Sequence, residues 1–185
     1  MTTEELKAKL NYVNKSRDNR LQYAQLILDK PELMPKLMKI TFAKNEPLSG
    51  KAAWIMEFAS NQNLALLHPH LDFFCNNLDQ PNSDSAIRPI AKICELLVNQ
   101  HFKLSSQNES VLKSFHLEKI TEFCFDILLG DHQVAPKVYS MSSLQQLSKK
   151  YKWILPELKT IIERDYPTQS KGYQARARKV LAMIQ

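Results

Sequence analysis

The sequence predicts an all-α fold, and the scarcity of glycine is the first observation behind that prediction. Only three of the 185 residues are glycine, whereas hairpins, bulges and phosphate-binding loops use glycine where the backbone needs a positive φ. The second observation is that apolar residues recur at helical rather than strand spacing almost throughout the chain. We therefore expect about ten helices and no strand.

Along the chain, the predicted helices are separated by short polar stretches rich in turn-forming residues. These breaks fall at 44–47, 80–84, 103–110, 130–131 and 167–170. Asp84 is expected to cap the start of one helix, and Gly130–Asp131 to end one helix and begin the next. The clearest apolar stripes are Ala86, Ile90, Ile93 and Leu97; Leu117, Ile120, Cys124 and Ile127; and Tyr173, Ala177, Val180, Leu181 and Ile184.

The chain also resembles itself at a long period. A shift of 86 residues places Lys51 and Phe58 over Lys137 and Leu144, and one further residue places Pro69 over Pro156. A period of about 87 residues corresponds to two units of about 43, within the range of HEAT and armadillo repeats.

The segment from Asp84 to Ala91, with Arg88 at its fifth position, resembles the HEAT signature Asp-x-x-Val-Arg-x-x-Ala. The resemblance implies one domain over 1–185, an α-solenoid of about four to five helix pairs forming an α-α superhelix. It also implies a structural ladder in which acids and bases of successive repeats bond, here Asp84, Arg88, Asp131 and Lys137.

Blocks around Trp54 and at 67–72, 85–89 and 172–179 resemble short bacterial HEAT-like proteins of unestablished function. Some of these carry a transferred adenylosuccinate lyase label. The lyase superfamily uses a flexible loop resembling Ser-Ser-x-Met-Pro-x-Lys-x-Asn, but Ser142–Ser143 is followed by Leu144 and Gln145. The lyase activity is therefore the third and least favoured alternative, because function must rest on the residues of a site.

No catalytic, metal or cofactor site is expected from the titratable residues. His68 and His70 are two apart and point to different sides of a helix, so with Asp72 they do not form a ligand set. Cys75, Cys94 and Cys124 are widely spaced among apolar residues and are expected to be reduced core thiols. We expect a non-enzymatic protein without a cofactor.

Three acidic residues, Glu118, Glu122 and Asp126, are spaced by four and form one stripe on a predicted helix over 117–129. Two interpretations remain open for this stripe. It is either an ordinary solvated helix face or a docking strip for a basic partner.

Positive charge is concentrated near the end of the chain. Residues 1–134 carry 15 Lys and Arg against 16 Asp and Glu, whereas residues 135–185 carry 10 against 3. The cluster is either a polar end cap of the repeat array or a surface that follows phosphates, with Trp153 or Tyr151 available for stacking. Its candidate binding residues are Lys149, Lys150, Lys152, Trp153, Lys171, Arg176, Arg178 and Lys179.

The leading functional hypothesis is a protein-binding solenoid that presents its inner helices to a partner macromolecule. The alternative is nucleic-acid binding through the basic C-terminal repeat, which resembles the DNA alkylation repair HEAT-like proteins at the level of fold. Because the first ten residues contain no apolar core and no long apolar run follows, we expect a cytoplasmic protein without membrane association. The oligomeric state stays open.

Overall fold

The computed structural model describes residues 1–81, 83–105, 107 and 109–183, and all regular secondary structure within those ranges is helical. Two short 3₁₀ helices cover Pro31–Leu33 and Leu64–His70. The α-helices of the described residues are α1 (Thr3–Leu10), α2 (Arg17–Asp29), α3 (Met34–Thr41), α4 (Ser49–Gln62), α5 (Leu71–Asn76), α6 (Asp84–Ser105), α7 (Ser114–Leu129), α8 (Val134–Leu147), α9 (Ile154–Asp165) and α10 (Lys171–Leu181).

The predicted junction at Gly130 is confirmed, whereas the predicted N-caps are not. Gly130 is the C-cap of α7, with a φ of −75° and an extended backbone. Asp84 is the first residue of α6 rather than the residue before it, and α8 begins at Val134 with Gln133 as its N-cap, so Asp131 does not start a helix. Parts of three predictions, at Asn82, Ser106, Asn108 and Ile184, lie outside the described residues.

The chain divides into two compact units, Met1–Ile93 and Cys94–Gln185. In the first unit α4 is the central element, because it packs against α2, α3 and the 3₁₀ helix Leu64–His70. Residues on most sides of α4 are consequently buried, including Ala53, Ile55, Met56 and Ala59. The single-domain assignment of 1–185 stays a prediction.

The only close approach that depends on glycine in the first unit lies between α4 and the start of α6, as far as the described residues show. A Cβ added to Gly50 would lie 2.8 Å from Cβ of Ser85, which is well inside van der Waals contact. Because Gly50 has no side chain, the backbone of α4 can pack directly against the Ser85 side chain of α6.

In the second unit the central element is α8, which packs against α7, α9 and α10. Its core includes Cys124 of α7, Leu144 of α8 and Tyr173 of α10, all fully buried. Cys75, Cys94 and Cys124 are buried and form no disulfide, as predicted. Burial raises the pKa of the Cys75 and Cys124 thiols to about 12, so both stay protonated near neutral pH.

The internal repeat is visible in the positions of the helices. Helices α6 and α10 begin at Asp84 and Lys171, 87 residues apart, and α4 and α8 begin at Ser49 and Val134, 85 residues apart. Within its own unit each central helix packs against the helix that precedes it, since α3 contacts α4 and α7 contacts α8. The contact between the central helix and the helix before it thus occurs in both units.

One of the predicted ladder residues, Arg88, forms a cross-helix ion pair. Arg88 of α6 donates from Nη2 to Oε2 of Glu57 on α4 at 2.8 Å, and the Glu57 side chain is only 8% exposed. Glu57 was not among the predicted ladder residues. Lys137 is buried in α8, whereas Asp84 and Asp131 are exposed at the surface; bonding among these three stays a prediction.

Further cations surround the buried carboxylate. The Arg20 guanidinium lies 4.0 Å from the centre of the Trp54 ring and 5.8 Å from that of Phe58. Burial, and then repulsion from Arg88, lowers the pKa of Arg20. For Glu57, burial outweighs the attraction of Arg88 and raises the carboxyl pKa above its ordinary value of 4.5.

This raised pKa predicts how stability depends on pH. A carboxyl whose pKa is higher in the folded state contributes its full stability below the ordinary value of 4.5, and that contribution falls as pH rises through the folded-state pKa. Urea unfolding of the wild type and of Glu57→Gln across a pH series measures it. The wild type should lose free energy of unfolding relative to Glu57→Gln as pH rises above 4.5.

The variant Arg88→Ala is the control for the ion pair. It should lower the free energy of unfolding by about 1.5–3 kcal/mol near neutral pH, because a charge-assisted hydrogen bond is lost. The fall in stability with pH should also become steeper, since the Glu57 carboxylate then lacks its partner. If the free energy of unfolding of the wild type instead increases relative to that of Glu57→Gln as pH rises, the account is contradicted.

Candidate docking groove

A surface groove of about 600 Å³ lies in the second unit, between the outward face of α7 and the turn that joins α8 to α9. Its walls combine three carboxylates with three aromatic rings. The lining residues are Glu118, Thr121, Glu122, Phe125, Asp126, Tyr151 and Trp153. Among the residues that the structure describes, no lysine or arginine lines the groove.

The carboxylates stand on successive turns of α7, four residues and therefore about 6 Å apart along the helix axis. All three residues are exposed. Glu122 forms an ion pair with Lys119 at 2.7 Å, whereas Glu118 and Asp126 have no ion pair within the part of the chain that the structure describes. The described lining of the groove thus carries three carboxylates on a protein of net charge +6.

The aromatic wall is built from two rings that stack on each other. Phe125 and Trp153 lie nearly parallel, with ring centroids 5.7 Å apart and an interplanar angle of 17°. Trp153 precedes the first turn of α9 and remains 55% exposed. One face of the indole is covered by Phe125, so the groove has a preorganised aromatic surface with a second face open to a ligand.

Tyr151 closes the groove at the end of the turn. Its pKa is raised, first by burial and then by the nearby negative charge of Glu118. The phenol oxygen is buried and makes no hydrogen bond within the described structure. Lys150 lies 5.5 Å from the Tyr151 ring and donates from Nζ to the hydroxyl of Ser114 at 3.0 Å, which fixes the turn against the start of α7.

The structure separates the predicted basic cluster into two places. Lys149, Lys150 and Lys152 lie with Trp153 at the junction of α8 and α9, and Lys149 lies 5.6 Å from the Phe102 ring. Trp153 also lines the groove together with the three carboxylates of α7. The availability of its indole to stack in a phosphate-binding surface stays a prediction.

The other four candidates lie on α10. Lys171, Arg178 and Lys179 are exposed and Arg176 is half-buried. Arg178 donates to the hydroxyl of Tyr166 at 2.9 Å, beside a shallower groove of about 500 Å³ that Tyr166, Pro167 and Arg178 help to line. The positive charge of α10 is thus exposed, but one of its four cations already has a partner.

Comparison with known families decides the identity of the fold. A family model described as a HEAT repeat domain matches residues 6–184. The chain belongs to this HEAT repeat family. Comparison with curated proteins and comparison with solved structures each give no match. The predicted resemblance to HEAT-like proteins and the all-α solenoid class are confirmed.

The serine pair that was compared with the lyase loop lies inside a helix of this HEAT repeat domain. Ser142 and Ser143 lie within α8 and donate to the carbonyl oxygens of Val138 and Tyr139 at 3.0 and 3.1 Å, so they do not stand on a flexible lyase-type loop. No group of three His, Cys, Asp or Glu residues among those described is placed to hold a metal ion. None of the helices described is both long and apolar enough to cross a bilayer.

Sequence reasoning identified the acidic stripe and Trp153 separately, but not that they meet. Phe125 was not singled out, because an aromatic residue in a helical pattern ordinarily belongs to the core. The available signal was its position directly before Asp126, on the acidic rather than the apolar side of the helix. The docking-strip interpretation of the acidic stripe stays a prediction.

Proposed function

We propose that this HEAT repeat domain is a non-enzymatic protein-interaction module whose second unit contacts its partner through the groove beside α7. HEAT repeats are scaffolds that commonly mediate protein interactions. The observation that carries the proposal is the half-exposed Trp153 ring, held against Phe125 and rimmed by charged residues. Tryptophan is enriched at the energetic centres of protein interfaces, and polar rims typically surround such centres.

The chemistry of the lining supports binding rather than catalysis. Thr121 is the only hydroxyl-bearing residue of the groove besides Tyr151, within the lining described, and its Oγ1 donates to the Leu117 carbonyl oxygen at 2.7 Å. The three carboxylates stand on one helix and face outward. This arrangement lacks a nucleophile hydrogen-bonded to a base, which acyl- or group-transfer chemistry needs.

Loss of the indole should remove a bound partner. The test is affinity capture from extracts of the source cells with the wild type, Trp153→Ala and Leu129→Ala, followed by mass spectrometry. Leu129 is the matched control, because it is as exposed as Trp153, at 55%, and does not line the groove. At least one protein should be retained by the wild type and Leu129→Ala but fall about tenfold or more with Trp153→Ala. Identical retention by all three proteins would contradict the proposal.

A second candidate function is nucleic-acid binding, and the exposed cations of residues 135–185 favour it. Lys149, Lys152, Lys171, Arg178 and Lys179 are exposed, and the excess of 10 bases over 3 acids in this segment provides a positive field. This candidate uses α10 and the lysines of the turn rather than the groove itself.

Titration of labelled duplex DNA, single-stranded DNA and RNA at low and at physiological salt tests this second candidate by fluorescence anisotropy. If phosphates are bound, affinity should fall steeply with salt, and the variant with Glu at Lys149, Lys150, Lys152, Arg176 and Lys179 should not bind. Binding that is absent at low salt, or that survives this charge reversal, would exclude it.

A further inference from the structure

We infer that the groove beside α7 accepts an extended basic segment of a partner protein, with one Lys or Arg side chain laid on the open face of Trp153. This inference rests on the proposed function and adds the chemistry of the partner. It combines a cavity, a preorganised aromatic ring and unneutralised carboxylates, all within the second unit.

Charge complementarity favours an occupant that is positively charged. Three carboxylates line the groove and no cation does; only Glu122 is paired, to the neighbouring Lys119. A cationic side chain would neutralise Glu118 and Asp126, which have no ion pair among the described residues. An acidic peptide or a phosphate backbone would meet like charge at short range, which is unfavourable.

The aromatic wall favours a cationic side chain that has an aliphatic stem. Phe125 covers one face of the Trp153 indole, so a guanidinium or ammonium can approach the opposite face, where the ring quadrupole attracts it. The remainder of the wall is formed by Phe125 and Tyr151, which would contact the aliphatic stem of a lysine or arginine.

The spacing of the carboxylates fits an extended chain. The four-residue spacing on α7 places the acids about 6 Å apart along its axis. In an extended peptide, side chains at i and i+2 lie on one side, about 6.8 Å apart. Basic residues at alternate positions can therefore approach successive acids along α7.

The probe for this inference is a labelled peptide with arginine at alternate positions, Arg-Ser-Arg-Ser-Arg, with blocked termini. Its affinity is measured by fluorescence anisotropy, with the Glu-Ser-Glu-Ser-Glu peptide as the charge-reversed control. The arginine peptide should bind the wild type and should bind less tightly as salt is raised. The glutamate peptide should not bind.

Substitutions of the lining residues test whether the arginine peptide binds in the groove. Glu118→Gln combined with Glu122→Gln and Asp126→Asn should weaken the arginine peptide about tenfold or more. Glu4→Gln combined with Glu32→Gln and Asp79→Asn removes the same number of exposed acids from the first unit and should leave the affinity unchanged. Trp153→Leu should weaken binding about threefold to tenfold, whereas Trp153→Phe should retain most of it. Circular dichroism confirms that each variant is folded.

Failure of this inference is distinguishable from failure of the proposed function. If the peptide does not bind, or binds equally to both triple variants, the inference is wrong, even where Trp153→Ala still releases a captured protein. If Trp153→Ala releases no protein from the capture experiment, the proposed function fails and the inference fails with it.

Discussion

The burial of α4 and α8 on several sides at once is the constraint on which the remaining structure depends. Each is the central helix of its unit and is contacted by at least three other elements. A helix enclosed in this way cannot be strongly amphipathic, and buried residues indeed surround both. Its buried polar side chains are more stable with partners inside the protein, because an unpaired buried polar group is costly; the hydroxyls of Ser60 in α4 and Ser140 in α8 are buried without such a partner in the described structure.

The two central helices pair other buried polar side chains differently. In α8 the hydroxyls of the buried Ser142 and Ser143 donate hydrogen bonds to the backbone carbonyl oxygens one turn earlier. In α4 the buried Glu57 takes a partner from another helix, Arg88 of α6. The ion pair therefore ties α6 to α4 close to the point where Gly50 and Ser85 meet, so that packing and charge act on the same helix crossing.

Because the central helices are covered by their neighbours, binding surfaces are left to the outward faces of the surrounding helices. Helix α7 packs its apolar side against α8 and turns Glu118, Glu122 and Asp126 outward. The turn after α8 then brings Trp153 onto Phe125, beside those acids. The groove thus follows from the helix order, while its charge and aromatic character come from residues that the core does not need.

The sequence predicts the helical class, the break positions and the long repeat because these depend on local spacing. The start of α6 at Asp84 and the burial of three separate cysteines follow from apolar periodicity alone. The pairing of Arg88 with Glu57, and of Trp153 with Phe125, depends on contacts 31 and 28 positions apart along the chain. No local pattern encodes such contacts, so neither the Glu57 partner of Arg88 nor the Phe125 partner of Trp153 was predicted from the sequence.

The measurement that tests the account most directly is a ¹⁵N–¹H correlation spectrum of the labelled protein titrated with the arginine peptide. The account predicts that chemical-shift changes concentrate on residues 118–126 and 151–153 and on the Trp153 indole NH, with that of Trp54 unchanged. Changes that centre on α10, or that spread evenly over exposed acids of both units, would contradict the assignment of the groove as the binding surface.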